Sequence, residues 1–312
     1  MFWVSTGGIR TRYWGCATTF ERRASGTIHL MKPFDYVAPT TLDEAVHALA
    51  GNPAARVLAG GTDLLAQMKG GRREAPLVVD VKRIPDLLSI RMEEGGLRLG
   101  AAVPCIRIAT NADVRAQYPA LAEVASLIGG TAIQGRASIG GNLCNAAPSA
   151  DAVPLLIVLS AVARVAGPGG IREIAVEDFC VAPGKNALGE GEFLVDLFLP
   201  KPAAGFKAHY LRFIPRNEMD IAVVGVGVSA TVTDGQITTA RLALASVAPT
   251  PLFVREVTEA LVGKAPSAEA IAGAAALAEA AAKPISDMRA PAEYRRHLCG
   301  VLSRRALTAV LQ

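Results

Sequence analysis

The chain has 312 residues, 51% of them apolar and only 19% charged, with a formal net charge of +4. That balance can bury a sizeable core and excludes disorder, and the length suits about two domains of roughly 150 residues. Basic residues are scattered, without the Lys/Arg run and interleaved aromatics that nucleic-acid binding needs. The longest apolar stretch, residues 152–163, falls short of the ~20 residues of a membrane span. Cys16, Cys105, Cys144, Cys180 and Cys299 include no Cys-x-x-Cys pair. This argues against a disulfide scaffold, a zinc ribbon or a self-contained iron–sulfur cluster, and for reduced thiols in a cytoplasmic protein.

Fold-like patterning begins only at Met31, so translation is expected to start there, with residues 1–30 an upstream extension that has no role in the fold. Thr41-Leu42-Asp43-Glu44 fits a capping box opening a helix that Gly51 ends. A short buried strand over residues 56–59 runs into Gly60-Gly61-Thr62-Asp63 and then an apolar helix over residues 64–68. A strand over 77–81 follows, then a hairpin turning at Glu94-Gly95-Gly96 and a helix opened by Pro119. Residues 132–151 lack periodicity and are expected to form a long functional connection. A helix over 152–159, a hairpin at Gly167-Pro168-Gly169-Gly170 and a strand over 192–199 complete the first part. Residues 200–205 form the expected boundary. Beyond them lie strands over 222–233 and 237–246, then helices near 253–261, 268–282 and 292–311. Strands first and helices afterwards indicate a small α+β domain with helices on one sheet face.

Three segments carry chemistry. A strand feeding the Gly60-Gly61 turn and a helix start gathers unpaired backbone amides that suit a phosphate; an ordinary strand-to-helix turn is the plainer alternative. The loop from Ser138 through Ile139, Gly140, Gly141, Asn142 and Asn145 to Asp151 offers a second Gly-Gly turn, with hydroxyl and amide groups for phosphate or ribityl oxygens. The third, Arg216-Asn217-Glu218-Met219-Asp220, enters the long C-terminal strand and reads equally as a solvated turn. His29, His47, His209 and His297 match no site motif, and no catalytic acid, base, nucleophile or metal site is expected.

Together these segments resemble the FAD-binding medium subunit of the xanthine dehydrogenase and carbon monoxide dehydrogenase family of molybdenum hydroxylases. The resemblance runs from Met31 to the C-terminus. It rests on Lys32-Pro33-Phe34-Asp35-Tyr36, Ala-Gly-Gly-Thr-Asp-Leu-Leu at residues 59–65 and Ser-Ile-Gly-Gly-Asn at residues 138–142. Further marks are Arg216-x-x-x-Asp220-Ile221-Ala222, Ala248-Pro249-Thr250-Pro251 and Arg304-Arg305-Ala306-Leu307. The resemblance implies an α+β architecture: a two-subdomain FAD-binding domain of the cresol-methylhydroxylase/vanillyl-alcohol-oxidase type over 31–203, then a C-terminal domain over 204–312. It implies FAD as cofactor, with Leu58, Ala59, Gly60, Gly61, Thr62, Asp63, Leu64 and Leu65 along the pyrophosphate and flavin. Ser138, Ile139, Gly140, Gly141, Asn142 and Asn145 fall near the diphosphate and ribityl chain. Ile128 and Gly129 border the cofactor, Asp151 is an acid held near it, and Asp220 approaches the isoalloxazine. The implied partners are a molybdopterin-binding large subunit and a 2Fe-2S small subunit, assembled as a dimer of heterotrimers that passes electrons to an external acceptor. Gln134-Gly135-Arg136 departs from the family's usual Arg-Asn-Arg, so one positive charge is missing beside the second loop. A free-standing FAD-dependent reductase or oxidase of the same fold, or a flavin-less assembly module, are the rival readings.

Overall fold

The computed structural model describes residues 31–217 and 219–312; the expectation for residues 1–30 lies outside them, as does Glu218 of the third segment. The chain opens with β1 (Asp35–Val37), α1 (Leu42–Ala50), β2 (Arg56–Leu58), α2 (Leu64–Lys69) and β3 (Leu77–Asp80). The three strands form a parallel sheet in the order β1-β3-β2. Parallel neighbours need a crossover connection, and α1 and α2 are those crossovers. The expected cap on α1 is present: the Thr41 hydroxyl accepts from the Glu44 amide at 3.2 Å, and the Glu44 carboxylate accepts from the Thr40 amide at 2.8 Å.

Next come β4 (Ile90–Glu93) and β5 (Gly96–Gly100), then six short helices: α3 (Cys105–Thr110), α4 (Ala112–Gln117), α5 (Pro119–Leu127), α6 (Thr131–Gln134), α7 (Ile139–Asn145) and α8 (Ala152–Val158). β6 (Val162–Gly167), β7 (Gly170–Ala175), the small hairpin β8 (Cys180–Ala182) and β9 (Lys185–Asn186), and β10 (Phe193–Pro200) follow. An antiparallel five-stranded sheet, β4-β5-β10-β6-β7, results. Two expectations need correction. Residues 132–151 are not one structureless connection: most of α6 and all of α7 lie within them. α6 has four residues and α7 seven, too short for any apolar period to register.

The remainder is β11 (Phe206–Phe213), β12 (Val224–Thr233), β13 (Gln236–Ala245), β14 (Leu252–Phe253), α9 (Arg255–Leu261), α10 (Ala268–Ala281) and α11 (Ala292–Leu311). The strands pair antiparallel in sequence order. β11 is the second correction, because sequence reading passed over it. Phe206 to Tyr210 alternates apolar and polar residues, but Leu211-Arg212-Phe213 reverses the phase, so the alternating run is only five residues long. β12 has the opposite character. Its first eight residues are buried, because α8 packs on the sheet as well as α11; a strand covered on both faces reads as one continuous apolar run. Glycine at 227 allows the first packing: a Cβ there would stand 2.8 Å from the Pro154 carbonyl of α8.

One buried core joins β5, β6 and β10 to α3, α5 and α8 and takes in Tyr210 and Ala243 of the last sheet. A second lies between the last sheet and α9–α11. A third, with Ala45, Val79, Phe193 and Val195, ties the parallel sheet and α1 to the five-stranded one.

Inside the five-stranded sheet Asp196 is fully buried. Arg98 of β5 donates to it at 3.0 Å and Arg164 of β6 at 2.8 Å, so one carboxylate clasps the strands on either side of β10. Removing one partner of a buried ion pair leaves the other charges uncompensated. Asp196→Ala is expected to cost about 3 kcal/mol in urea unfolding; an unchanged midpoint would show that water solvates the two arginines adequately without it.

Candidate functional site

The first glycine turn begins where β2 ends. Gly61 adopts φ +79°, a conformation that L side chains rarely take. The amides of Gly60, Gly61, Thr62, Asp63 and Leu64 donate to no carbonyl among the described residues, while the Leu65 amide returns to the Gly61 carbonyl at 3.1 Å. Five consecutive free amides on an ordered turn need an acceptor from outside the fold or from water. α2 has only six residues, so the amides themselves, more than a helix dipole, supply the attraction for an anion.

The second loop lies directly against the first. A Cβ on Gly60 would stand 1.8 Å from the Arg136 carbonyl oxygen, so backbone meets backbone there. The Arg136 Nε donates to the Gly60 carbonyl at 3.3 Å, and Gln67 Nε2 of α2 donates to Asn145 Oδ1 of α7 at 3.0 Å. Ser138 is the N-cap of α7, its hydroxyl accepting from the Gly141 amide at 3.0 Å. Gly140 is set against Ala101, whose carbonyl oxygen a Cβ would approach to 2.4 Å. Asn142 Oδ1 accepts from the Ala152 amide at 3.2 Å and so fixes the start of α8. Leu58–Leu65 and Ser138–Asn145, some 80 positions apart, are thus neighbours.

Of the other predicted residues, Ile128 is the C-cap of α5 and Gly129 follows at φ +63°. The buried Gln134 donates to the Ser126 carbonyl at 2.6 Å and the Ile128 carbonyl at 3.4 Å. Gln134 thus fastens the Ile128-Gly129 turn. A cavity of about 400 Å³ opens beside it, lined by Gly129, Thr131, Gln134, Tyr210, Arg212 and Asn217 among others. Asp151 is committed to β11: it accepts from the Tyr210 hydroxyl at 2.7 Å and from Arg212 Nη1 at 2.7 Å. Burial pushes its carboxyl up, and the Arg212 charge with the bonds from Tyr210 and Arg212 only partly offsets this. Asp220 makes no hydrogen bond or ion pair to either glycine loop; its carboxylate accepts from the Arg216 and Ile221 amides and closes its own turn.

Sequence reading missed Tyr210 and Arg212, whose partner is about 60 positions away, and the group at the carboxyl end of the parallel sheet. There Lys82 Nζ donates to the Ala59 carbonyl at 2.8 Å and to Asp80 Oδ1 at 2.7 Å, while the Tyr36 hydroxyl donates to Asp80 Oδ2 at 2.6 Å. Burial pushes the Asp80 carboxyl up, but the Lys82 and Tyr36 bonds and the Lys82 charge outweigh it and hold it below its usual range. Burial pushes the Cys144 thiol up to about 12 and the Cys180 thiol up to about 11, away from the thiolate form that reacts. Among the described residues no group of three or more His, Cys, Asp or Glu could hold a metal.

Comparison with known proteins places this geometry. Residues 32–202 match the family described as the FAD binding domain in molybdopterin dehydrogenase, and residues 209–310 match the CO dehydrogenase flavoprotein C-terminal domain. The chain is 35% identical over 275 residues to the carbon monoxide dehydrogenase medium chain of Afipia carboxidovorans, covering 88% of this chain and 95% of that one. It is 30% identical over 275 residues to the xanthine dehydrogenase FAD-binding subunit of Escherichia coli O157:H7, covering 88% and 94%. Among solved structures it is similar to carbon monoxide dehydrogenase from Hydrogenophaga pseudoflava, with a TM-score of 0.85, 34% identity and coverage of 89% and 96%. It also resembles quinoline 2-oxidoreductase from Pseudomonas putida 86, with a TM-score of 0.84, 28% identity and coverage of 91% and 98%.

Two outcomes follow from the geometry. Gly60→Ala is expected to push the loops apart, with a stability loss of about 2 kcal/mol and reduced flavin content, as overpacking of backbone against backbone requires. Gly135→Ala, which meets nothing within 4 Å, serves as the neutral neighbour; equal flavin content in the two variants would contradict the contact. The Asp80 contribution to stability is expected to be present above its unfolded pKa of about 3.9 and lost as pH falls through its lowered folded value. Acid unfolding of Asp80→Asn against the parent chain checks this: the difference should shrink towards low pH.

Proposed function

The chain belongs to the family of FAD-binding domains of molybdopterin dehydrogenases, and from that premise we propose that it is the electron-transfer subunit of a molybdenum hydroxylase complex. It is an oxidoreductase flavoprotein subunit whose cofactor is FAD. In the proposed division of labour, a molybdopterin-binding large subunit oxidises the substrate. A 2Fe-2S small subunit relays single electrons, and FAD bound here collects them and passes a pair to an external acceptor. The assembly is a cytoplasmic dimer of heterotrimers. Relatives named as a medium chain and as an FAD-binding subunit support the partner reading. The free thiols of Cys105, Cys144, Cys180 and Cys299 support the compartment.

The observation that carries the reading is the row of unpaired amides from Gly60 to Leu64 on a turn whose backbone touches the start of a second glycine loop. The residues fit a dinucleotide diphosphate. Glycine amides supply donors without a charged side chain, and the Ser138 hydroxyl, already accepting from Gly141, keeps its own proton to donate. Asn142 and Asn145 use their carbonyl oxygens inside the fold, leaving their amide nitrogens for ligand oxygens. The cavity bordered by Gly129, Arg212 and Asn217 is the proposed place of the ring system, with Asp220 shaping its rim through the turn that it closes. Asp151 acts through β11, as the anchor that brings Arg212 to that cavity. Residues 31–203 form the proposed FAD-binding domain and 204–312 the C-terminal one; the linker between β10 and β11 supports the division.

No residue here needs to act as acid, base or nucleophile, since the protein's part is position and electrostatics. Purified chain is expected to show a flavin absorption spectrum and to release about one FAD per chain on denaturation, without protease. A colourless protein that also refuses added FAD would overturn the proposal.

A further inference from the structure

We propose that Lys82 is a positioning residue of the flavin site: its ammonium pins the Ala59 carbonyl and so aims the free amides of the first glycine turn at the cofactor diphosphate. This rests on the FAD reading above. The bonds cross the whole parallel sheet. Tyr36 of β1 donates to Asp80 at the end of β3, Asp80 accepts from both the Lys82 amide and the Lys82 ammonium, and the ammonium donates to the carbonyl that follows β2. The Lys82 side chain is only 27% exposed, unlike a surface lysine free to sample solvent. Because a trans peptide points its C=O and the next N–H in opposite directions, holding the Ala59 oxygen towards β3 turns the Gly60 amide away from it. On the other side Arg136 Nε holds the Gly60 oxygen and sets the Gly61 amide in the same way. The turn is therefore clamped through successive carbonyls by two cations, and its amides from Gly60 to Leu64 are the groups left unpaired. Pre-setting these donors before the ligand arrives lowers the ordering cost of binding.

A purely structural Lys82, serving only to neutralise Asp80, would change stability and leave flavin affinity to follow it. The test separates the two. FAD is titrated into flavin-free full chain, read by flavin fluorescence, for the parent, Lys82→Met and Lys82→Arg, with urea unfolding of each flavin-free chain alongside. Lys82→Met leaves the buried Asp80 without its cation and is expected to lower the flavin-free unfolding midpoint; in chain still folded without urea it is also expected to weaken FAD binding by roughly tenfold or more. Lys82→Arg, which keeps a charged donor, should recover most of the affinity. Asp80→Asn is the stability control: it loses the Asp80–Lys82 charge pair but keeps the ammonium that donates to the Ala59 carbonyl, so it is expected to lower the midpoint and leave FAD affinity close to the parent's. Should Lys82→Met fail to fold, Lys82→Gln, whose amide can still donate to Asp80, takes its place. Parent-like affinity in the folded Lys82 variant, or an equal loss in Asp80→Asn, would overturn the proposal for Lys82. A parent chain that takes up no FAD would instead overturn the FAD reading on which it stands.

Discussion

The backbone of Gly60 lies so close to the Arg136 carbonyl that no side chain fits between them. The candidate site exists because of that contact. It joins the end of a strand in a small parallel sheet to a loop embedded among short helices, two regions that otherwise share no strand pairing. Any residue larger than glycine would hold the two loops apart. The flanking bonds, Arg136 to Gly60 and Gln67 to Asn145, then fix their relative orientation. The unpaired amides of the first turn lie near the capped start of the second loop for this reason, and not through any property of either loop alone.

A second junction, of different chemistry, brings in the C-terminal sheet. Asp151 stands immediately before α8 and is gripped by Tyr210 and Arg212 of β11. Burying a carboxylate is costly, and the cost is met only where charge and hydrogen bonds both answer it; here burial still wins, since the carboxyl is pushed up. The return is geometric: Arg212 is held at the rim of the cavity beside Gly129. Small residues again permit the approach, with Gly227 against Pro154 of α8 and Gly225 against the Tyr210 hydroxyl.

The chemistry of the site follows from what these contacts leave available. Glycine amides, one serine hydroxyl and two asparagine side chains can bind and orient a phosphorylated cofactor, and the nearby thiols are held protonated by burial. Such a site suits a subunit whose reactive atoms all belong to the group it carries. The similarity to carbon monoxide and xanthine dehydrogenase subunits spans almost nine-tenths of the chain, so both junctions fall within the shared part.

Local order was legible in the residues themselves. The Thr41 cap, the Pro119 helix start, the Glu94-Gly95 hairpin and α11 depend on interactions within a few positions of the chain, and the structure has them where periodicity and punctuation put them. The two glycine turns were recognisable for the same reason, and FAD followed from the resemblance that they carried. Other features were decided only by tertiary structure. α6 and α7 are too short to show a period, and the alternation of β11 changes phase at Arg212, which belongs to a contact with Asp151. The Asp80–Lys82–Ala59 bridge and the Asp151–Arg212 pair join positions 23 and 61 apart. A side chain's partner at that separation is set by how sheets and helices stack, and the linear sequence holds no local signal of it.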